Sequence, residues 1–406
     1  MRIGAMASLA IFLHFDSVTL DLLSLLGVRG GVQMRFIDEY RNPELILKLS
    51  RQIKQEVADR SYRLMEICGG HTHSIYRFGI HELLPQNIEL IHGPGCPVCV
   101  LPLGKVDEAL ELVQSNDVIF TAFGDVMRVP GSKQSPFEVK AKGADIRMVY
   151  SPTDALKIAL EHPDKDVVFF AIGFETTAPS TALTIKQAHD LGVSNFSVFC
   201  NHVTVGPPLR SILESEFFDL DGFVGPGHVS TVIGLDPYRF VAEEFSRPIV
   251  VSGFEPTDIL ESILWLVRLI NAGAASVENQ YVRAVKSEGN LAALAAMDEV
   301  FEERPSFEWR GLGYIDSSAL RIKDTYIRYD AEVRYKVKQI CSPDPEGAIC
   351  GEVLVGKKKP EDCPLLGVTC SPEYPVGALM VSSEGACSAY YTYVHRRSTR
   401  SGSGVS

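Results

Sequence analysis

The stretch "DVVFFAIGFETTAPSTA" (residues 166–182) decides how the rest of the chain is read. An unbroken apolar run of strand length is followed by a short polar loop with a glycine, and then by residues suited to a helix. Without polar alternation, such a run marks a strand covered on both faces, as in a parallel sheet. The same order recurs outward from it. "YRLMEIC", "IELIH", "DVIFTAFG", "DIRMVYS", "FSVFC", "DGFVG" and "PIVVSGF" are further strand candidates between residues 62 and 253. Helix-period segments such as "LGKVDEALELV" and "PTDALKIALEH" lie between them, the latter opened by Ser151 and Pro152. The fold class predicted is α/β.

The pattern also repeats. "SPTDALKIAL" (151–160) returns as "EPTDILESIL" (255–264), and the same offset of 104 lays Gly69 on Gly173, Thr72 on Thr176 and Cys96 on Cys200. Two similar lobes with parallel sheets are therefore expected, over residues 61–160 and 161–278. A third unit, mostly helical and loop-rich, is assigned to 34–60 together with 279–393. In it the amphipathic helix at 43–58 is expected to pack on the last segment rather than on either sheet. Residues 1–33, ahead of Met34, read as an N-terminal extension too broken by Asp16 and Asp21 to be a signal peptide or a membrane span. Residues 394–406 read as a flexible tail.

With 406 residues, 46% of them hydrophobic, the chain is long enough for two or three cored domains. A net charge of −12 argues against nucleic acid or an anionic membrane as partner. Nine cysteines, an odd number and unevenly spread, fit a reducing compartment better than a secreted disulfide framework.

In parallel α/β sheets ligands bind beyond the carboxyl ends of the strands. "CGGHTH", "HGPGCPVC", "FGD", "GFETTAP", "CNHVTVGP", "GPGHVS" and "SGFEPTD" all fall there, so the cleft between the two lobes is the predicted site. Cys96 and Cys99 form a C-x-x-C pair, suited to a metal knuckle or a reversible dithiol. With Cys68, and His71, His73 or His92 in reach, they would also suit a transient Fe(II) or zinc site. The plainer reading makes Cys68 a small buried hydrophobe and His73 a helix cap; Cys200 reads as core. His202 and His228 offer an acid, a base or a donor to a small anion. Glu175 and Thr176 read equally as a cap or as site residues. No P-loop or G-x-G-x-x-G motif supports a nucleotide site.

Near the end, Cys341, Cys350, Cys363 and Cys370 are separated by 8, 12 and 6 residues. Structural zinc favours a shorter knuckle. These intervals fit a [4Fe–4S] cluster better, with zinc and disulfides as the alternatives. Cys387 reads as a buried neighbour or a substitute ligand.

Taken together, "MRFIDEYR", "CGGHTHSI", "HGPGCPVCVLP", "FGDVMRVPG", "GFETTAPSTA", "CNHVTV", "GPGHVS", "VENQY", "EWRGLG" and "MVSSEGACSAYY" resemble the HypD family of hydrogenase maturation factors, from Met34 to about Tyr393. The resemblance implies a cytoplasmic scaffold on which the Fe(CN)2CO unit of [NiFe]-hydrogenase is assembled, with two similar α/β domains and a third carrying a [4Fe–4S] cluster. It implies that iron is held between Cys68 and the N-terminal cysteine of a small HypC-type chaperone. Cyanide would arrive from a thiocyanate on HypE. Cys96 and Cys99 would be the redox-active dithiol, and Cys341, Cys350, Cys363 and Cys370 the cluster ligands. His71, His73, His202 and His228 are the expected hydrogen-bond donors to bound cyanide. No nucleic acid and no membrane partner is expected, and the chain alone is expected to be a monomer. A stand-alone iron–sulfur thiol–disulfide oxidoreductase and a zinc-binding module are the competing classes.

Overall fold

A computed structural model describes residues 38–215 and 219–397. The N-terminal extension and most of the expected tail lie outside the described residues. All eight apolar runs form strands: β1 Tyr62–Glu66, β2 Ile88–His92, β3 Val118–Ala122, β4 Ile146–Met148, β5 Asp166–Gly173, β6 Phe196–His202, β7 Gly222–Pro226 and β8 Ile249–Ser252. A ninth, β9 Val277–Asn279, follows. They build two parallel sheets, ordered β2-β1-β7-β8-β9 and β4-β3-β5-β6. Every residue of β3, β6, β7 and β8 is buried, which is why these strands carry no polar alternation.

Two parallel lobes are present, but the chain does not divide between them at residue 160. β7 pairs with β1 (Met65 opposite Phe223) and β5 with β3 (Phe120 opposite Val168). The first sheet therefore takes strands from both halves, while the second is one continuous insertion from β3 to β6. The repeat does pair equivalent positions: it lays β1 on β5, each an inner strand of its own sheet. A linear repeat carries no record of which strands hydrogen-bond.

The helix Pro43–Glu56 is capped by Asn42, whose side chain accepts from the Glu44 and Leu45 amides. Contrary to expectation it packs on the first sheet's layer. Ile46, Leu49 and Ile53 share a core with Tyr62 and Leu64 of β1 and with Ile263 and Val267 of the helix Pro256–Asn271. An apolar helical face buries against the nearest uncovered apolar surface, and here that is the sheet beside it. The expected mostly helical third segment contains a long antiparallel hairpin, β10 Phe301–Trp309 and β11 Gly313–Ile322. The helix Leu291–Val300 runs directly into it, β10 opening at the next residue. The hairpin docks just past β6, where the Thr204 amide donates to the Ser318 carbonyl at 3.0 Å. Among the described residues no helix is long and apolar enough to cross a membrane.

Candidate functional site

β1 ends at Glu66 and delivers Cys68 as the residue preceding the helix Gly69–Arg77. The loop after β2 lies against it, the Gly69 amide donating to the Gly95 carbonyl at 3.1 Å. A Cβ on Gly95 would sit 2.3 Å from the Cys68 nitrogen, so this approach requires glycine. The Cys68 amide donates to Glu66 Oε2 at 3.0 Å, and its Sγ lies 4.0 Å from His228 Nδ1. Burial, with Glu384 and Glu66 nearby, pushes the thiol up to about 12, outweighing the Gly70 and His71 amides that favour a thiolate.

Behind this pair stands Phe254. His228 stacks on it at 3.9 Å between centroids and His71 at 4.7 Å. Gly70 and Gly227 leave room for the ring, since a Cβ on either would meet it within 3.0 Å. His71 Nε2 contacts the Ser252 and Gly253 carbonyls at 3.1 and 3.0 Å, so this nitrogen bears the hydrogen. Its Nδ1 is buried with no hydrogen-bond partner among the described residues. Burial lowers the pKa of both histidines, His71 also lowering that of His228.

Cys96 and Cys99 form a disulfide with Cα atoms 5.2 Å apart, at the start of the short helix Pro97–Val100. They are 3% and 1% exposed. A small cavity of about 10 Å³ borders both cysteines, Gly69, Thr72, His92 and Glu384. Glu66, wholly buried, anchors this region: its carboxylate accepts from the Thr72 hydroxyl, from His92 Nδ1 at 2.8 Å and from the Cys68 amide. His92 Nε2 meets Tyr76 Oη at 2.9 Å. His92 is thus an organiser of the loop, engaged at both nitrogens.

The wider cleft, about 730 Å³, opens between the carboxyl edges of the two sheets. Pro97, Phe123, Tyr150, Phe174 and His228 line it, together with Ser383 and Glu384 from the C-terminal segment. Burial pushes the Glu384 carboxyl up, with Asp125 and Glu66 adding to the effect. Neither Glu66 nor Glu384 was singled out from sequence. Glu66 sits inside a strand run, and Glu384 arrives from more than three hundred positions downstream of the Cys68 loop it joins.

Two expected histidines stand elsewhere. His73 faces the C-terminal segment, with Nδ1 3.1 Å from the Ser383 carbonyl and Nε2 3.4 Å from Tyr393 Oη. His202 is buried at the end of β6, 2.9 Å from Thr181 Oγ1, and burial lowers its pKa to about 4. It does not line the cleft. Cys200 is wholly buried in the second sheet. Glu175 does not cap the helix that follows it, Ala178–Asp190: its Oε1 accepts at 3.0 Å from the amide of Val205, the residue preceding the helix Gly206–Glu214, and burial raises its carboxyl to about 7. Thr176 lines the cleft.

The C-terminal thiols that the structure gathers differ from the expected set of four. Cys350, Cys363, Cys370 and Cys387 border one apolar cavity with Leu365, Leu366 and Met380. Cys341 is exposed, beside Tyr314, and does not border it. A Cβ on Gly377 would fall 2.2 Å from Cys350 Sγ, and the Val376 amide donates to Cys370 Sγ at 3.4 Å. Burial and the three neighbouring thiols push Cys387 well above the usual thiol range. Four soft donors around an apolar hollow, one already accepting an amide, suit an iron–sulfur cluster. Sequence spacing favoured the four adjacent cysteines, whereas the turn at residues 377–385 folds Cys387 back onto the other three.

The sequence profile of the HypD family, described as "Hydrogenase formation hypA family", matches residues 44–394. The chain is 54% identical over 371 residues to the hydrogenase maturation factor HypD of Rhodobacter capsulatus, covering 89% of this chain and 98% of that protein. It is 52% identical over 373 residues to HypD of Escherichia coli (strain K12), covering 90% and 100%. Against HypD of Cupriavidus necator identity is 52% over 368 residues, covering 89% and 97%.

Proposed function

The chain belongs to the HypD family of hydrogenase maturation factors, and from that premise we propose that it is the scaffold on which the Fe(CN)2CO unit is assembled. The observation that carries this reading is the junction of the Cys68 loop with the Cys96–Cys99 loop at one end of the inter-lobe cleft. In it, the iron cargo is held between the Cys68 sulfur and the N-terminal cysteine of a HypC-type chaperone. Binding requires loss of the Cys68 proton, and replacing S–H by S–Fe removes the need for a buried free thiolate. His228, whose ring lines the cleft beside Cys68, is the histidine placed to hydrogen-bond a ligand on that iron. His71 keeps its hydrogen on the carbonyls, so toward the cleft it is no donor. His73 and His202 lie outside this role.

Cyanide delivery from a thiocyanate on HypE requires two electrons. Written in balance, the reduced Cys96–Cys99 pair gives two electrons and two protons as its S–S bond forms. The S–CN bond breaks, leaving a free thiol on HypE, cyanide for the iron and one proton. Cys350, Cys363, Cys370 and Cys387 are the residues that would hold a [4Fe–4S] cluster, which when bound supplies single electrons. The burial of the disulfide argues against general disulfide exchange with protein substrates.

The test is Cys68→Ala, co-purified anaerobically with the chaperone and examined by infrared spectroscopy. Cyanide and carbonyl bands are expected to vanish while visible iron–sulfur absorption persists. Persistence of the bands would show that Cys68 does not hold the iron.

A further inference from the structure

Reducing the Cys96–Cys99 disulfide breaks one S–S bond, consumes two electrons and two protons, and leaves two thiols. Both sulfurs are almost wholly buried, so thiolates there would lack solvation and protons must arrive with the electrons. Three polar side chains border the small cavity beside the pair: Thr72, His92 and Glu384. The Thr72 hydroxyl donates to Glu66, so by itself it opens no route to solvent. The other two are shared walls. Glu384 also borders the inter-lobe cleft, and His92 also borders a separate groove of about 1020 Å³ along β2, the edge strand of the first sheet.

We propose that His92 is the proton inlet of the Cys96–Cys99 pair, passing protons from the outer groove toward the cavity beside the two sulfurs as the disulfide is reduced. The inference rests on the reading of the pair as redox-active. The ring suits the task because both nitrogens are engaged, Nδ1 with Glu66 at 2.8 Å and Nε2 with Tyr76 Oη at 2.9 Å. Tyr76 borders the groove and Thr72 the cavity. A proton taken up at Nε2 from Tyr76 and released at Nδ1 to Glu66 therefore reaches the cavity through the Thr72 hydroxyl, crossing the ring without turning it. The cavity's volume, about 10 Å³, is the threshold for a single bridging water.

The experiment uses the full chain, purified anaerobically. Two equivalents of reduced methyl viologen, each losing one electron, drive the reaction. Samples are acid-quenched, unfolded and alkylated, and thiols at residues 96 and 99 are counted by mass spectrometry. His92→Ala is expected to slow reduction roughly tenfold or more, and imidazole in the buffer to restore much of the rate through the open groove. His92→Gln, which keeps a hydrogen bond but carries no ring proton, should be equally slow and serves if the alanine variant fails to fold. Wild-type rates in both variants, slowing of His92→Ala that imidazole does not relieve, or a greater loss in Glu384→Gln would each overturn the proposal. If the wild-type pair accepts no electrons, the redox reading fails and the inlet with it, a result visible before any variant is made.

Discussion

Cys68 Sγ lies 4.0 Å from His228 Nδ1, joining side chains 160 positions apart that follow the neighbouring strands β1 and β7. Burial raises the thiol and lowers the imidazole, so at neutral pH this is a thiol beside a neutral ring, not a thiolate–imidazolium pair.

Alkylation reads that difference directly. In metal-free protein, iodoacetamide should modify Cys68 slowly at pH 7, with the rate climbing toward a midpoint near about 12. A rate already at its plateau near neutrality, followed by mass spectrometry, would show an ion pair instead.

The C-terminal thiols give an opposed pair of outcomes. Cys387→Ser should lower iron and labile sulfide well below the roughly four of each expected per chain, while Cys341→Ser should leave both unchanged. Elemental analysis and visible absorption of anaerobically purified protein decide it. The reverse pattern would restore Cys341 to the ligand set.

Glu175 should make stability depend on pH. Its folded pKa, about 7, is raised from 4.5, so between these values the folded state binds more protons than the unfolded chain. Stability therefore falls as pH rises through that window, by about 3 kcal/mol in all. Urea unfolding from pH 4.5 to 8 should show this decline in the wild type and its absence in Glu175→Gln.

Gly95→Ala probes the junction of the two cysteine loops. Its Cβ would meet Cys68 backbone rather than a yielding side chain, so a loss of about 3 kcal/mol is expected, at the upper end for overpacking. Unfolding at the wild-type midpoint would mean that the loops separate at little cost.

The strands were legible because burial on both faces leaves its own signature: "DVVFFAIG" and "FSVFC" have no other economical reading. Loops at their carboxyl ends were legible by the same rule, and the cleft lined by Phe123, Phe174, Thr176 and His228 lies where it predicts. The interleaving of strands between sheets was not, because hydrophobic runs of equal length and composition are interchangeable until hydrogen bonds select partners. His202 illustrates the same limit. It follows a strand as His228 does, yet sits buried against Thr181, outside the cleft.

By itself, then, the sequence determined the α/β class, the eight parallel strands and the family, since periodicity and motif are local and written in order. Tertiary structure alone decided that Cys387 rather than Cys341 joins the other three thiols, that Glu384 closes over the Cys68 loop, and that His92 stands between groove and disulfide. Each of those is a contact between distant segments, selected by packing and burial, which no spacing along the chain encodes.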